Sequence, residues 1–223
     1  MATINREQVV MAALALIDEE GGESLSMRAV AARVDRRVSS LYNHVASRGE
    51  LIELIRARIV AAIDTSPFEA SPWDAALESW ARSYLEAFAA HPNVIRLLAT
   101  TPIGDVSTFE MYDEVIGSLV TGGWPLRDAV AVMRTVEAHV LGSALDMVAP
   151  SDMLAQSSVP SGLRMVHAAL DAEYADSSSA AAAFELGLEA LLAGLRARHS
   201  RLVGSAGAGN GAGDEGEHHP PSG

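Results

Sequence analysis

The chain contains no cysteine, and every one of its sixteen basic residues other than histidine is an arginine. Without cysteine it cannot form a disulfide bond, a thiolate metal site or a cysteine nucleophile, which leaves the redox compartment open but is compatible with the cytosol. It also lacks an eighteen-residue apolar run and the apolar segment of a secretion signal. We therefore expect no secretion, no membrane partner and a cytoplasmic location.

An excess of positive charge is also missing, since 29 acidic residues against 16 arginines give a net charge of −13. That total by itself argues against a nucleic-acid partner. The acids are unevenly distributed, however, and the net charge is −1 for residues 1–64 and −12 for residues 65–223. An acidic second part would limit non-specific adhesion to phosphates without opposing a DNA contact in the first.

The segment from Ser26 to Arg48 carries the strongest local pattern. Its apolar residues recur at helical spacing on both sides of a break: Ala29, Val30 and Val34 before it, Leu41 and Val45 after it. Asp35 opens the break, and aspartate is one of the few residues other than glycine that tolerates a left-handed backbone. Five arginines against one acid give the segment a charge of +4. This pattern predicts a helix-turn-helix, in which the second helix enters the major groove of DNA.

Residues 4–55 resemble the N-terminal domain of the tetracycline-repressor (TetR) family. The residues that carry the resemblance are Ala12-Ala13, Gly21, Ser26-Met27-Arg28, Ala31-Ala32, Leu41-Tyr42-x-His44-Val45 and Ser47-Arg48-x-Glu50-Leu51. Where the family usually has Gly-Val at the turn, this chain has Asp35-Arg36. The competing interpretation is an arginine-rich amphipathic helix pair on a solvated face.

The resemblance implies a set of DNA-contacting positions: Arg28, Val38, Ser39, Ser40, Tyr42, Asn43, His44 and Arg48. Their chemistry is suitable, because arginine binds phosphate or guanine, asparagine can bond an adenine edge, and serine can donate to either. Val38 offers only an apolar contact, such as a thymine methyl. Arg37, like its neighbour Arg36, could add a phosphate contact or be a solvated turn residue. The implied partner is a palindromic double-stranded DNA operator, bound by a homodimer.

Polar residues at the helix ends predict where the N-terminal helices begin. Asn5 and Gln8 have the spacing of a capping box, Ser26 can cap the second helix, and Ser47-x-x-Glu50 is a second capping box before the fourth. The fourth helix should run to about Asp64 and form the mechanical link to the C-terminal part of the chain. We therefore expect a DNA-binding domain over residues 1–64.

The remaining sequence shows helical patterns and no convincing strand, so the expected fold class is all-α. Predicted helices span residues 73–90, 93–100, 108–120, 125–148, 161–172 and 180–201. We assign residues 65–203 to a C-terminal ligand-binding and dimerisation domain. From Gly204 the chain is rich in glycine, alanine and acid, and we expect residues 204–223 to be a disordered tail.

A fainter resemblance to the same family covers residues 121–147. It implies that helices 125–148 and 180–201 of two subunits form a four-helix bundle. The apolar stripe assigned to this dimer interface is Phe184, Leu188, Leu191, Leu192 and Leu195, and the small residues Gly187, Ala190 and Gly194 would let helices approach closely. The alternative is that the stripe belongs to the core of a monomer.

The resemblance further implies a cavity among the fifth to eighth helices, with seven candidate lining residues: Trp80, Tyr84, Thr101, Pro102, Met133, Glu137 and Asp146. Each could instead be ordinary core or surface. The tetracycline repressor binds drug and magnesium through histidines, and here Ile63 or Asp64 and Leu97 stand in their places, while only Asp146 keeps an acid. We therefore expect no metal and no cofactor, and an amphipathic or aromatic small-molecule effector of unknown identity.

The function implied is a repressor that a ligand releases from its operator by moving the fourth helix and with it the spacing of the two recognition helices. A second interpretation is a helix-turn-helix regulator whose C-terminal domain binds a protein partner or only dimerises. An enzyme is a third, but the chain has no nucleophile elbow, phosphate loop or HExxH motif, and only His139 and Asp146 share a helix face. A cavity of a few hundred Å3 would separate the first interpretation from the second.

Overall fold

The computed structural model describes residues 4–150 and 152–209, which form eleven α-helices. These are α1 (Arg6–Glu20), α2 (Met27–Arg33), α3 (Val38–Leu41), α4 (Arg48–Val60), α5 (Pro67–Ala70), α6 (Trp73–Ala89), α7 (Ile95–Ala99), α8 (Val106–Thr121), α9 (Leu126–Asp146), α10 (Arg164–Ala169) and α11 (Ala180–Gly209). Short 3-10 turns are interspersed, and the described residues include no strand. The all-α prediction is confirmed. In this part of the chain, no helix is both long and apolar enough to span a bilayer.

The first two helices begin at the predicted capping residues. The Asn5 side chain accepts a hydrogen bond from the Gln8 backbone N–H at 2.8 Å, while the Gln8 side chain accepts one from the Asn5 N–H at 2.9 Å. Ser26 accepts from the Ala29 N–H at 3.1 Å and so caps α2. These bonds satisfy N–H groups that have no partner within the helix, so local sequence alone defines both helix starts.

Asp35 adopts the left-handed backbone conformation that the turn prediction required. Its φ is +51°, and no other residue except glycine has a positive φ in the part of the chain that the structure describes. Helix α3 follows, and its last residue, Leu41, is completely buried in the core that α1, α2 and α4 share. The helix-turn-helix is therefore built as the sequence indicated.

The predicted capping box of α4 forms only in part. Ser47 caps the helix by accepting from the Glu50 N–H at 3.0 Å. The Glu50 carboxylate, however, accepts from the N–H of Ala46 at 2.5 Å, and it also pairs with Arg6 of α1 at 3.0 Å. The tertiary contact with Arg6 thus holds the glutamate one residue further back than a reciprocal box would place it.

The C-terminal helices pack around α6 and α9, with α8 and α11 against them. Helix α11 lies close to α9 at Gly187, where an added Cβ would collide with the His139 ring. That ring stacks on Phe184 at 5.3 Å between centroids, and its Nε2 lies 3.0 Å from the Phe184 carbonyl oxygen. Gly187 is therefore needed for the contact between α9 and α11 of the same chain.

The assignment of the α11 stripe to a dimer interface is wrong for three of its residues. Phe184, Leu188 and Leu192 are only 1–2% exposed in the monomer. They are buried because their i, i+4, i+8 spacing places them on the face of α11 that packs into the shared core. Leu195 is half-buried against the same core, and Leu191 is also half-buried.

Two further boundaries differ from the predictions. The helix predicted over residues 161–172 is shorter, spanning Arg164–Ala169, and none of its residues is buried. Helix α11 continues to Gly209, so residues 204–209 are helical where we expected disorder. The rest of the predicted disordered tail, residues 210–223, lies outside the described residues.

Candidate DNA-binding surface and ligand cavity

Most of the predicted DNA-contacting side chains are open to solvent. The exposed ones are Arg28, Arg37, Ser39, Tyr42, Asn43 and Arg48. Val38, Ser40 and His44 are half-buried, and Val38 packs partly against the core. Val38 therefore has less surface to offer a base than the sequence alone implied, whereas Tyr42, at 52% exposure, is a large side chain that contacts little of its own protein.

Two arginines tie the recognition segment to the helices around it. Arg6 of α1 donates from Nε to the His44 carbonyl oxygen at 2.9 Å, just after α3. Arg48, at the start of α4, donates from Nε to the Leu25 carbonyl oxygen at 2.9 Å, just before α2. The second contact uses only Nε, so the terminal amines of Arg48 can still reach a phosphate. The role of Arg6 was missed, because nothing in the sequence links residues 38 positions apart.

The positive charge of the helix-turn-helix is smaller at its surface than the count of arginines suggests. Arg33 forms an ion pair with Glu19 of α1, which offsets its charge. Among the described residues, no ion pair engages Arg28, Arg37 or Arg48. These three arginines therefore carry the charge that phosphates would meet.

Helices α4, α6, α7, α8 and α9 line a cavity of about 800 Å3 that is open to solvent on one side. Five of the seven residues predicted to face it do line it: Tyr84, Thr101, Pro102, Met133 and Glu137. Trp80 does not, because its ring is fully buried and packs edge-on against Phe68 and Tyr84. Asp146 does not either, since it lies exposed at the last residue of α9.

The carboxylate of Glu137 on α9 accepts hydrogen bonds from two tyrosine hydroxyls of the cavity wall. The hydroxyl of Tyr84 donates to Glu137 Oε1 at 2.8 Å, and the hydroxyl of Tyr112 donates to the same oxygen at 2.6 Å. Burial, and then the neighbouring Glu137, raises the pKa of Tyr84 well above its ordinary value and raises that of Tyr112 as well. Both hydroxyls are therefore protonated donors at neutral pH. Tyr112 was not predicted, because its part of α8 carries no motif.

A buried arginine connects this cavity to the N-terminal helices. Arg56 of α4 is 6% exposed, and its Nη2 donates to the carbonyl oxygens of Thr101 at 3.0 Å and Leu98 at 3.3 Å. Its neighbour Glu53 accepts from the Gly104 N–H at 2.7 Å. Residues 98–103 also line the cavity. One short segment therefore forms a cavity wall on one side and hydrogen-bonds α4 on the other.

The cavity opens between α8 and α9. Phe109 and Val130 line it and are still 53% and 47% exposed, and Asp113 and Arg134 beside them are exposed as well. This rim places two apolar side chains and one charge of each sign where a molecule would enter. An apolar molecule with a few polar groups matches such an entrance.

The positions compared with the tetracycline repressor's histidines lie away from the cavity lining. Ile63 is buried in the core, Asp64 is exposed, and Leu97 packs near Gly22 of the N-terminal unit. In the described residues, no group of three or more histidine, aspartate or glutamate side chains is arranged to hold a metal ion. His139, which the sequence paired with Asp146, instead contacts Phe184.

Comparisons with known proteins cover both parts of the chain. Residues 67–199 match the profile of the tetracyclin repressor-like C-terminal domain. Tetracycline repressor protein class A from transposon 1721 of Escherichia coli is 30% identical over 212 residues, which are 91% of this chain and 94% of that protein. The HTH-type transcriptional repressor DrrR1 of Streptomyces coeruleorubidus is 31% identical over 143 residues, and the match spans 64% of this chain but only 53% of DrrR1.

A solved structure of a TetR family protein has a similar fold. The crystal structure of the Streptomyces coelicolor TetR family protein ActR in complex with (S)-DNPA has a TM-score of 0.69 to this chain at 27% identity. The superposition covers 88% of this chain and 99% of that one. The order and packing of the helices are therefore shared across nearly the whole of that protein.

Proposed function

Because the chain belongs to the tetracycline-repressor family of transcriptional regulators, we propose that it is a repressor that a small molecule releases from its DNA operator. The observation that carries the proposal is the cavity of about 800 Å3 whose wall is hydrogen-bonded to α4. Two relatives, DrrR1 and the class A tetracycline repressor, are named as repressors, and the TetR family protein ActR was solved in complex with (S)-DNPA. The protein would act in the cytoplasm, where the operator is accessible.

The DNA-binding half of the proposal rests on the exposed residues of the helix-turn-helix. Arg28, Arg37 and Arg48 supply phosphate contacts, and Asn43 and Ser39 are the exposed groups suited to base edges. Arg6 and Arg48 hold this surface in place through their bonds to backbone oxygens. A rigidly held backbone suits direct recognition of bases, because less ordering of the segment is needed on binding.

A homodimer is needed to bind a palindrome, and we assign its interface to the solvent face of α11 and the neighbouring face of α9. On α11 the exposed residues Leu186, Ala190, Ala193 and Ala197 recur at helical spacing, and Leu186 is 70% exposed. A Cβ added to Gly194 would meet nothing within 4 Å in the monomer. Small residues of this kind let two helices approach closely, as a four-helix bundle requires.

Ligand response follows from the contacts of Arg56. A ligand in the cavity touches residues 98–103, whose backbone oxygens hold the Arg56 guanidinium. If the ligand fits a displaced form of this segment better, α4 moves with it and alters the separation of the two recognition helices. The response is limited by the difference in the ligand's affinity for the two forms.

The alternative, a regulator whose C-terminal domain binds only a protein or only dimerises, does not require an internal cavity. A cavity large enough for a drug-sized molecule, with polar groups converging on one side, favours the small-molecule interpretation. Two related structures contain small molecules: ActR holds (S)-DNPA, and a tetracycline-repressor variant of Acinetobacter baumannii AYE holds minocycline. We therefore propose an organic effector of that size for this chain.

The first experiment is selection of an operator from random double-stranded DNA with the purified full chain, followed by titration in fluorescence polarisation. We expect a palindromic site whose binding weakens steeply with salt. Arg28→Ala should weaken binding to all sequences alike and lower the salt dependence of binding by about one phosphate contact in each subunit. Arg96→Ala, at an exposed arginine of α7, is the matched control and should bind normally. Failure to enrich any sequence would contradict the proposed function.

A further inference from the structure

The cavity wall contains a carboxylate oxygen that its own protein leaves without a hydrogen bond. Glu137 Oε1 accepts from both Tyr84 and Tyr112, whereas no hydrogen bond or ion pair within the described residues engages Oε2. Glu137 is only half-accessible and lines the cavity. Glu137 Oε2 is not among the side-chain atoms sealed from solvent, so water can bond it when no ligand is bound. A ligand that displaces this water must supply a hydrogen-bond donor, because a carboxylate oxygen left unpaired under a ligand costs free energy.

The hydroxyl protons of Tyr84 and Tyr112 are both used in hydrogen bonds to Glu137. Each tyrosine hydroxyl has one proton, and both protons point to Glu137 Oε1. What Tyr84 and Tyr112 still offer to a ligand are the lone pairs of their hydroxyl oxygens. This end of the cavity therefore presents acceptors, and a ligand group that can only accept, such as an ether or a carboxylate, would find no donor from these three side chains.

The charges on the wall indicate that the donor need not be a cation. Arg56 and Arg134 line the cavity along with Glu137 and Asp113, so the charged side chains balance. The buried Arg56 guanidinium lies near enough to act electrostatically on the tyrosines of the cluster. A neutral hydroxyl can bond Glu137 without placing a cation near the buried Arg56 guanidinium, whose ion pair within the protein is with Glu53.

The rest of the lining sets the shape of the ligand. Phe88, Ile95, Phe109, Ile116 and Leu141 contribute apolar surface around the polar cluster. The volume of about 800 Å3 accommodates several fused rings. Flat aromatic molecules bury the most apolar area against such walls for little loss of internal freedom.

We propose that Glu137 Oε2 accepts a hydrogen bond from an uncharged hydroxyl group of a polycyclic aromatic effector, and that this bond distinguishes hydroxylated effectors from otherwise equal molecules that lack a donor. Tyr84 and Tyr112 act as positioning residues that hold the carboxylate in this orientation. The inference rests on the proposed function of the cavity and specifies the ligand chemistry there.

The test uses four fluorescent probes on one ring system: 1-hydroxypyrene, 1-methoxypyrene, 1-pyrenemethylamine and 1-pyrenecarboxylic acid. Each is titrated with the free full-length protein at pH 7, with a chelator present and then with added magnesium. We expect hydroxypyrene to bind at least about tenfold more tightly than methoxypyrene, because a hydrogen bond to a charged group contributes roughly 1.5–3 kcal/mol. The amine should gain no advantage over the phenol, and the carboxylate should bind most weakly.

Glu137→Gln is the decisive variant, since it keeps the shape of the side chain but replaces the free acceptor with an NH2 donor. The two tyrosine protons still need an acceptor, which fixes the amide orientation. The preference for hydroxypyrene over methoxypyrene should then fall to about onefold. Glu110→Gln, the same change at an exposed glutamate of α8 outside the cavity lining, should keep the preference. Thermal melting of both variants verifies that they are folded.

Several outcomes would overturn the inference: no binding of hydroxypyrene, equal binding of the phenol and its ether, tighter binding of the amine, or a preference that survives in Glu137→Gln. Each of these is measured without DNA. A wild-type protein that shows the preference but binds no selected operator would instead refute the proposed repressor function. The two failures are therefore distinguishable.

Discussion

The polar side chains around the helix-turn-helix bond mainly the backbone, whereas those of the cavity wall bond one another. In the N-terminal unit, Asn5, Ser26 and Ser47 bond backbone N–H groups at helix starts, and Arg6 and Arg48 bond backbone carbonyl oxygens at helix ends. In the C-terminal domain, Tyr84, Tyr112 and Glu137 bond one another inside a cavity. The bonds in the N-terminal unit hold the backbone in place, whereas those in the C-terminal domain form the polar part of a cavity lining.

This difference indicates how one chain can combine a rigid DNA-binding surface with a ligand cavity whose wall can move. Side-chain bonds to the backbone restrict the helices themselves, which suits a surface that must keep its shape. Side-chain bonds around a void leave lone pairs for a ligand and allow the wall to shift. Arg56 belongs to both regions, because it extends from α4 to the backbone of the cavity wall.

The largest expected effect is on stability and dimerisation, and it distinguishes the buried face of α11 from its exposed face. Phe184→Ala should lower the free energy of unfolding by about 3–5 kcal/mol, because it empties a core position. Leu186→Glu, two residues away on the exposed face, should leave monomer stability nearly unchanged but dissociate the dimer and weaken operator binding. Denaturation and sedimentation measure the two effects. A dimer that survives Leu186→Glu would argue against our assignment of the interface.

A second comparison tests whether the cavity weakens the packing around it. Leu41→Ala in the N-terminal core, where the side chain is 0% exposed, should cost about 2–5 kcal/mol of unfolding free energy. Leu98→Ala should cost less, since this side chain borders the cavity and has fewer atoms around it to lose. Denaturant unfolding at one fixed protein concentration gives both values. An equal or larger loss at Leu98 would show that the cavity wall is as tightly packed as the core.

The connection between the regions is tested at Arg56. Arg56→Met replaces the unbranched aliphatic part of the side chain but removes the donors to Leu98 and Thr101 and the ion pair with Glu53. The unpaired carbonyl groups should cost about 1–3 kcal/mol. We expect operator affinity without ligand to change only a few-fold and ligand-induced release to be strongly reduced. Arg58→Met is the matched control on the same helix, where the arginine pairs with Glu7 at the surface. Normal release in Arg56→Met would mean that the signal takes another route.

The smallest effect is a dependence on alkaline pH. Because the pKa of Tyr112 is raised in the folded state, its contribution to stability is complete below the ordinary tyrosine pKa of about 10 and is lost as pH rises through the higher folded value. Wild-type protein should therefore lose more stability than Tyr112→Phe between about pH 9 and 11. Urea unfolding across this range provides the measurement. Parallel losses in the two proteins would contradict the raised pKa of Tyr112, which burial and the hydrogen bond to Glu137 together cause.

Much of the N-terminal unit could be predicted because its signals are local. The caps at Asn5 and Ser26 act over three residues, and Asp35 needs only its own backbone to make the turn. The all-α class followed from periodicity in the same way. The resemblance that names the family is likewise densest in this segment, although the matching profile covers residues 67–199.

The predictions from sequence were wrong where the outcome depends on which way a helix face points or on contacts between distant residues. The stripe on α11 was identified correctly as apolar, but periodicity does not say whether an apolar face meets its own chain or a second copy, and Phe184, Leu188 and Leu192 meet their own. Trp80 and Asp146 were placed at the cavity by analogy of position. The rotation of α6 buries the first, and the end of α9 carries the second out to solvent.

By itself, then, the sequence determined the caps at Asn5 and Ser26, the turn at Asp35 and the all-α class, because each depends on residues a few positions apart. Only the tertiary structure decided that Tyr84 and Tyr112 share one oxygen of Glu137, across 53 and 25 residues, and that Arg56 holds the wall 45 residues away. Such contacts depend on how helices are rotated and packed against one another. That packing is set by the whole core at once, and no short stretch of sequence contains it.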